Sequence, residues 1–178
     1  MSPDIYGYTL KSYSFDVNVT DARCFLENTL ILTINGYIPI QQLHVGDQIK
    51  TQFGSYKKIT AIGKTTIINN VNNKNCMYKY TQNTTSELIQ DLFVTGLHNV
   101  FEKNNMIYRK IKASDDRRAT KWNYSGSVNL WHIAFDKAYG IYANGLLVES
   151  ISYDSLKRSG MTITEYLKPI IVSSKRKT

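Results

Sequence analysis

Turn signals cut the apolar pattern of this chain into short extended runs, and that punctuation constrains the fold more than any other feature. Asn35-Gly36 follows "TLILTI" and precedes "YIPI". Gly46-Asp47 separates "YIPI" from "QIKT", and Asn144-Gly145 sits inside "YGIYANGLLVES". Asn-Gly pairs accept the positive φ that tight two-residue hairpins demand, so each one joins two neighbouring antiparallel strands. Pro39 places its strand at an edge or an irregular position. Further extended runs read out at 56–68 around Gly63, at "MYKYT", at "ELIQDLFVT", at "NVFEKNNMIYRKI" around Asn104-Asn105, and at "LWHIAFD". Residues 113–129 are polar and loop-like. Apolar and other residues alternate at period two through Tyr6, Tyr8 and Leu10, and again through Tyr13, Phe15, Val17 and Val19, which predicts extended chain over 1–23. Thr162 and Glu165 have capping-box spacing, which predicts a short helix there, ahead of Pro169. Many short strands joined by turns predict an all-β domain with a short helical, basic C-terminal tail.

Composition agrees. The chain has 178 residues, 42% of them hydrophobic, with 13 tyrosines, enough for one core built on pleated surfaces. Two cysteines, Cys24 and Cys76, make no disulfide framework. The N-terminal residues lack the basic-then-apolar pattern of a secretory leader, and no apolar run reaches membrane-spanning length. The expectation is a soluble chain with no membrane contact, cytoplasmic or virion-associated, in a reducing compartment. The net charge is +8, and half of it comes from Lys157, Arg158, Lys168, Lys175, Arg176 and Lys177 set against Asp154 and Glu165. Such a tail can make a weak polyanion contact, or can simply be solvated. No nucleic-acid motif stands in the body of the chain.

Three blocks carry the functional signal. The first is "CF" at 24–25, "TLILT" at 29–33, Gly36, "PI" at 39–40, Leu43 and "GD" at 46–47. The second is Thr95-x-x-His98 within "LFVTGLHNVF". The third is "LWHIAFDKAYGIYANGLLVES". In this order they resemble the blocks of Hint domains, the hedgehog and intein autoprocessing modules, and are most similar to bacterial-type Hint domains. The resemblance divides the chain into an N-terminal segment at 1–23, a Hint-like β-fold at 24–153 and a basic tail at 154–178.

That resemblance implies a chemistry. Cys24 would attack the carbonyl of Arg23 in an N-to-S acyl shift, because a thiol is already partly ionised near neutral pH and is a strong nucleophile. His98, titrating near neutrality, would move the proton that the leaving nitrogen needs. Thr95 would hydrogen-bond His98 or the scissile peptide, and His132 would assist. The substrate would be the chain's own residues 1–23, with water or a small thiol as acceptor, and no cofactor or metal is implied. Other readings stand beside these. Cys24 can be an inert buried thiol, His98 and His132 can be satisfied core histidines, and Cys76 can be incidental. His44, before a turn, is expected at the surface. Zinc ligation by Cys24, Cys76, His98 and His132 matches no compact motif. On these readings the chain is a catalytically silent interaction module, part of an assembly such as a virus particle, with residues 1–23 docking on a protein partner.

Two departures narrow the expected activity. Splicing inteins end in His-Asn before a nucleophile, whereas Glu149 and Ser150 occupy the corresponding positions, so self-cleavage without splicing is expected. Asn28 stands where many relatives carry Gly, beside the nucleophile, at a turn where a side chain tolerates positive φ poorly.

Overall fold

The computed structural model describes residues 23–73, 76–104 and 107–167, and these form two antiparallel sheets wrapped around a shared core. The strand reading of 1–22 and the basic residues from Lys168 onward lie outside the described residues. The first sheet is ordered Ala119–Lys121, Met77–Tyr80, Leu92–Thr95, Phe25–Leu26, Gly126–Phe135, Ala61–Asn69, Thr162–Tyr166, with Ile151–Ser152 added alongside Gly126–Phe135. The second is ordered Ile107–Lys112, Asn99–Asn104, Leu146–Glu149, Gly140–Ala143, Leu30–Thr33, Gln48–Lys50, Tyr56–Lys58, with Gly36–Pro39 paired to Leu30–Thr33. The all-β class follows directly from the turn punctuation. Gly36 has φ +95°, and Asn144 and Gly145 have φ +48° and +95°, so the hairpins close where the Asn-Gly pairs stand.

The main core lies between the sheets. One side contributes Phe25, Ile62, Tyr80, Val94, Ile133 and Phe135, and the other Ile31, Ile49, Val100, Ile141 and Val148. A second cluster backs the first sheet, where Cys24, Ala61, Met77, Leu130 and Ala134 meet Leu156 and Met161. The long strand Gly126–Phe135 serves both clusters, because alternate side chains leave opposite faces.

Three local expectations differ from the structure. Gly63 is no turn but lies within Ala61–Asn69, and the break in the 56–68 run falls at Ile59-Thr60 instead. Leu156 explains the glycine, since a Cβ at residue 63 would lie 2.6 Å from Leu156 Cδ1. The stretch 113–129 is not all loop, for Ala119–Lys121 pairs with Met77–Tyr80 and the long strand begins at Gly126. The segment around Thr162 is a strand rather than a helix. It pairs with Ala61–Asn69 through a bulge, and Glu165 accepts hydrogen bonds from the Val45 N–H and from His44 instead of capping. The α-helix comes earlier, at Tyr153–Arg158, where the Ser152 side chain accepts from the Ser155 N–H. No helix among the described residues is long and apolar enough to cross a membrane.

Candidate active site

Sheet register places the residues singled out in the sequence. Phe25 pairs with Trp131 on one side and Val94 on the other. Carried one residue back, both registers set Cys24 between His132 and Thr95. The Thr95 neighbour is confirmed twice, by Thr95 N–H donating to the Cys24 carbonyl at 3.2 Å and by Cys24 N–H donating to Thr95 Oγ1 at 3.0 Å. The amide nitrogen of the Arg23–Cys24 peptide is therefore gripped by a threonine hydroxyl.

His98 arrives through a turn. Its N–H donates to the Thr95 carbonyl at 2.9 Å, which folds the chain back over the start of the first short strand. The next strand, Asn99–Asn104, pairs with Leu146–Glu149 at Val100 and Val148, which sets Glu149 opposite Asn99 and next to His98. His98 Nε2 then lies 2.9 Å from the Glu149 carbonyl oxygen. A carbonyl only accepts, so Nε2 carries the hydrogen and Nδ1 holds the lone pair. Nδ1 has no hydrogen-bond partner among the described residues. His132 is set the opposite way round. Its Nδ1 donates to the Ile133 carbonyl at 3.0 Å, and its buried Nε2 has no hydrogen-bond partner among the described residues. The two imidazoles lie nearly parallel, 8° apart in plane and 5.6 Å between centroids, and Phe25 packs against both.

The electrostatics keep the cluster neutral. Burial lowers the His98 pKa to about 4, with a smaller push in the same direction from the Arg23 charge, against opposing pulls from the Glu149 carbonyl and carboxylate and from the Cys24 main chain, which lies near the ring without a well-formed hydrogen bond to Nδ1. The near-neutral titration expected of His98 is thus displaced, because desolvation disfavours the imidazolium. Burial also holds His132 well below its ordinary value, helped by the potential of His98. Cys24 is fully buried, and burial drives its thiol far above the usual range. Its Sγ lies 3.6 Å from Met161 Sδ. At rest the site holds a neutral thiol and two neutral imidazoles with opposite lone pairs.

Glu149 is the one buried carboxylate at the site. Its side chain is 6% exposed, and it accepts from Arg23 Nη1 at 3.1 Å, from Asn99 Nδ2 at 2.6 Å and from Lys110 Nζ. Burial opposes its charge, but Asn99, Lys110 and Arg23 outweigh burial and hold it below the usual carboxylate range. The sequence marks this residue only as a departure from His-Asn. The available signal was an acid closing the apolar run "GLLV" in a basic chain. Met161 gave no signal, as it lies beyond the three blocks. A cavity of about 110 Å³ opens beside the site, lined by Arg23, His132, Ile151, Ser155, Arg158, Ser159 and Met161.

The remaining candidates fall elsewhere. His44 is at the surface and 2.9 Å from Glu165. Cys76 is a buried free thiol in the main core, in a different cluster from Cys24. Asn144 is fixed in its turn, where Oδ1 accepts from the Leu30 N–H at 2.6 Å and Nδ2 donates to the Asp91 carbonyl at 2.8 Å. Asn28 adopts φ +70°, the left-handed geometry for which glycine was expected. Gln41 braces it on both sides, accepting from the Asn28 N–H at 2.9 Å and donating to Asn28 Oδ1 at 2.5 Å.

A family model described as "Hint domain" matches residues 23–155. No curated protein sequence matches the chain. Among solved structures, the crystal structure of the gp41-1 intein superposes at 15% identity and a TM-score of 0.44, covering 71% of this chain and 98% of that one. The MchDnaB-1 intein superposes at 12% identity and a TM-score of 0.45, covering 71% and 98%. The bacterial intein-like domain from Clostridium thermocellum superposes at 16% identity and a TM-score of 0.43, covering 72% and 99%.

Proposed function

The chain belongs to the Hint domain family of autoprocessing modules, and from that premise we propose that it cleaves its own Arg23–Cys24 peptide bond by an N-to-S acyl shift and does not splice. One observation carries the reading: the Arg23–Cys24 N–H donates to Thr95 Oγ1 where sheet register sets Cys24 beside His132, on which His98 stacks. Cys24 Sγ adds to the Arg23 carbonyl carbon while the thiol proton passes to the lone pair of His98 Nδ1. The carbon–nitrogen bond then breaks as that proton reaches the Cys24 nitrogen. Arg23 is left as a thioester on sulfur, and Cys24 has a free α-amine. His98 starts neutral and so acts first as base and then as acid, with Glu149 fixing its tautomer. Thr95 orients the leaving nitrogen. His132 presents a second lone pair for the step in which water or a small thiol takes the acyl group and releases residues 1–23.

The absence of splicing rests on the third block. The positions expected to hold His-Asn carry Glu149 and Ser150. Glu149 is committed to Arg23, Asn99 and Lys110, and Ser150 Oγ accepts from the Tyr139 N–H at 2.9 Å. Asn144 is held in a hairpin turn rather than at a junction.

A second reading, a catalytically silent Hint-fold interaction module, is favoured by one feature: the thiol is sealed in an apolar cluster against Met161. Mass spectrometry decides between them. The purified chain and its Cys24→Ala variant are incubated with dithiothreitol and with hydroxylamine. Self-cleavage yields a fragment beginning at Cys24, and with hydroxylamine a hydroxamate at Arg23, only in the unsubstituted chain. Intact mass in both chains after prolonged incubation would rule out self-cleavage and leave the silent module.

A further inference from the structure

The Glu149 carboxylate lies on the acyl side of the scissile bond, and nothing in the acyl shift as described requires it. It accepts from the Arg23 guanidinium at 3.1 Å, while its main-chain oxygen accepts from His98. One residue thus touches both the side chain of the residue whose carbonyl would be attacked and the imidazole that would move the proton. We propose that Glu149 is the specificity-determining residue of this site and selects a guanidinium at position 23. This inference rests on the self-cleavage reading above.

The arrangement suits recognition better than scaffolding. The carboxylate is 6% exposed and the Arg23 side chain 35%, so the acid is built into the fold and the arginine is laid onto it. Lys110 and Asn99 already hold the carboxylate ionised, so Glu149 is not stranded when Arg23 changes. A buried anion whose own fold supplies part of its neutralisation accepts one N–H from the Arg23 guanidinium, a planar, always-charged donor that is more weakly hydrated than an ammonium, which favours arginine over lysine. Seating the Arg23 side chain would restrict the orientation of the neighbouring carbonyl for attack by Cys24, and orientation of that kind raises the rate of such a step. A negative residue at 23 would meet a like charge that Lys110 and Asn99 neutralise only in part, and would be driven out of the attack geometry.

The test varies residue 23 and leaves the folded unit intact. Hydroxylamine-induced cleavage is timed by mass spectrometry for the unsubstituted chain and for Arg23→Lys, Arg23→Ala and Arg23→Glu, with thermal unfolding of each measured in a Cys24→Ala background. The expected order is Arg above Lys above Ala above Glu, with Arg23→Ala slowed about tenfold and Arg23→Glu further. Unfolding temperatures should stay together. In a Glu149→Gln background the Arg-over-Glu preference should collapse. If the unsubstituted chain cleaves and all four residues react at one rate, the selection by Glu149 is overturned while self-cleavage stands. If the rates simply follow falling unfolding temperatures, Arg23 is a structural anchor and the proposal also fails. If the unsubstituted chain never cleaves, the self-cleavage reading and this inference fall together.

Discussion

At the scale of single residues, the site depends on side chains that do more than one task. Thr95 is both a strand residue and the acceptor for the scissile N–H. Removing its hydroxyl without changing its shape, by Thr95→Val, should leave the fold in place and slow cleavage by roughly 10²-fold or less, measured beside Cys24→Ala under hydroxylamine. Asn28 shows how a non-glycine residue can fill a glycine position. Asparagine visits the left-handed region more readily than other side chains, and Gln41 adds two hydrogen bonds. Asn28→Ala keeps the awkward φ and loses the bond to Oδ1, so it should cost about 1–2 kcal/mol in urea unfolding. Asn28→Gly loses the same bond but relaxes the backbone, and should cost about 0.5 kcal/mol or less. A reversed order would mean that the brace by Gln41, and not the backbone, decides that turn.

At the scale of elements, hairpins carry the geometry, and their glycines are not equivalent. Gly36 and Gly145 share φ +95°, but a Cβ at residue 36 meets nothing within 4 Å, whereas one at residue 145 would lie 2.1 Å from the Glu87 carbonyl oxygen. Gly36→Ala should therefore cost about 1 kcal/mol through φ alone. Gly145→Ala should cost at least about 3 kcal/mol, because the backbone that supports the closing hairpin has to move. Calorimetric unfolding of the two variants separates them, and equal losses would refute the claim. These turns were legible in the sequence because Asn-Gly pairs and period-two alternation are local properties. Gly63 lies outside that reach, because its reason is Leu156, far along the chain. Thr162–Tyr166 was misread because capping-box spacing was outweighed by pairing to Ala61–Asn69. Cys24, Thr95, His98 and His132 could be named from the resemblance. Their hydrogen bonds, and the role of Glu149, required the register of several strands distant in sequence, which no local pattern encodes.

At the scale of the whole molecule, two sealed imidazoles make stability depend on acidity. The His98 pKa is about 4 in the fold against 6.5 for the ordinary group, and His132 is lowered as well. The unfolded chain binds more protons than the folded chain between those values. Stability is thus fully present above pH 6.5 and drains away as pH falls toward 4. Urea unfolding of the Cys24→Ala chain should lose about 2 kcal/mol from His98 alone between pH 7 and pH 5, with His132 adding in the same direction. Unchanged stability across that interval would mean that the imidazoles are solvated. Glu149, held below its usual range, keeps its contribution above about pH 4.5 and loses it as pH falls from there through its lowered pKa. The position of Cys24 has a last consequence. The described strand ladders begin at Phe25, one residue beyond the scissile bond. A cut at that bond therefore falls on a seam outside the ladders. The larger product would keep the strands of both sheets, while the smaller would gain the freedom of a separate molecule. Under the proposed self-cleavage, an acyl group handed to water or a small thiol does not return to Cys24, so the domain would act as a ratchet: one turnover, then spent.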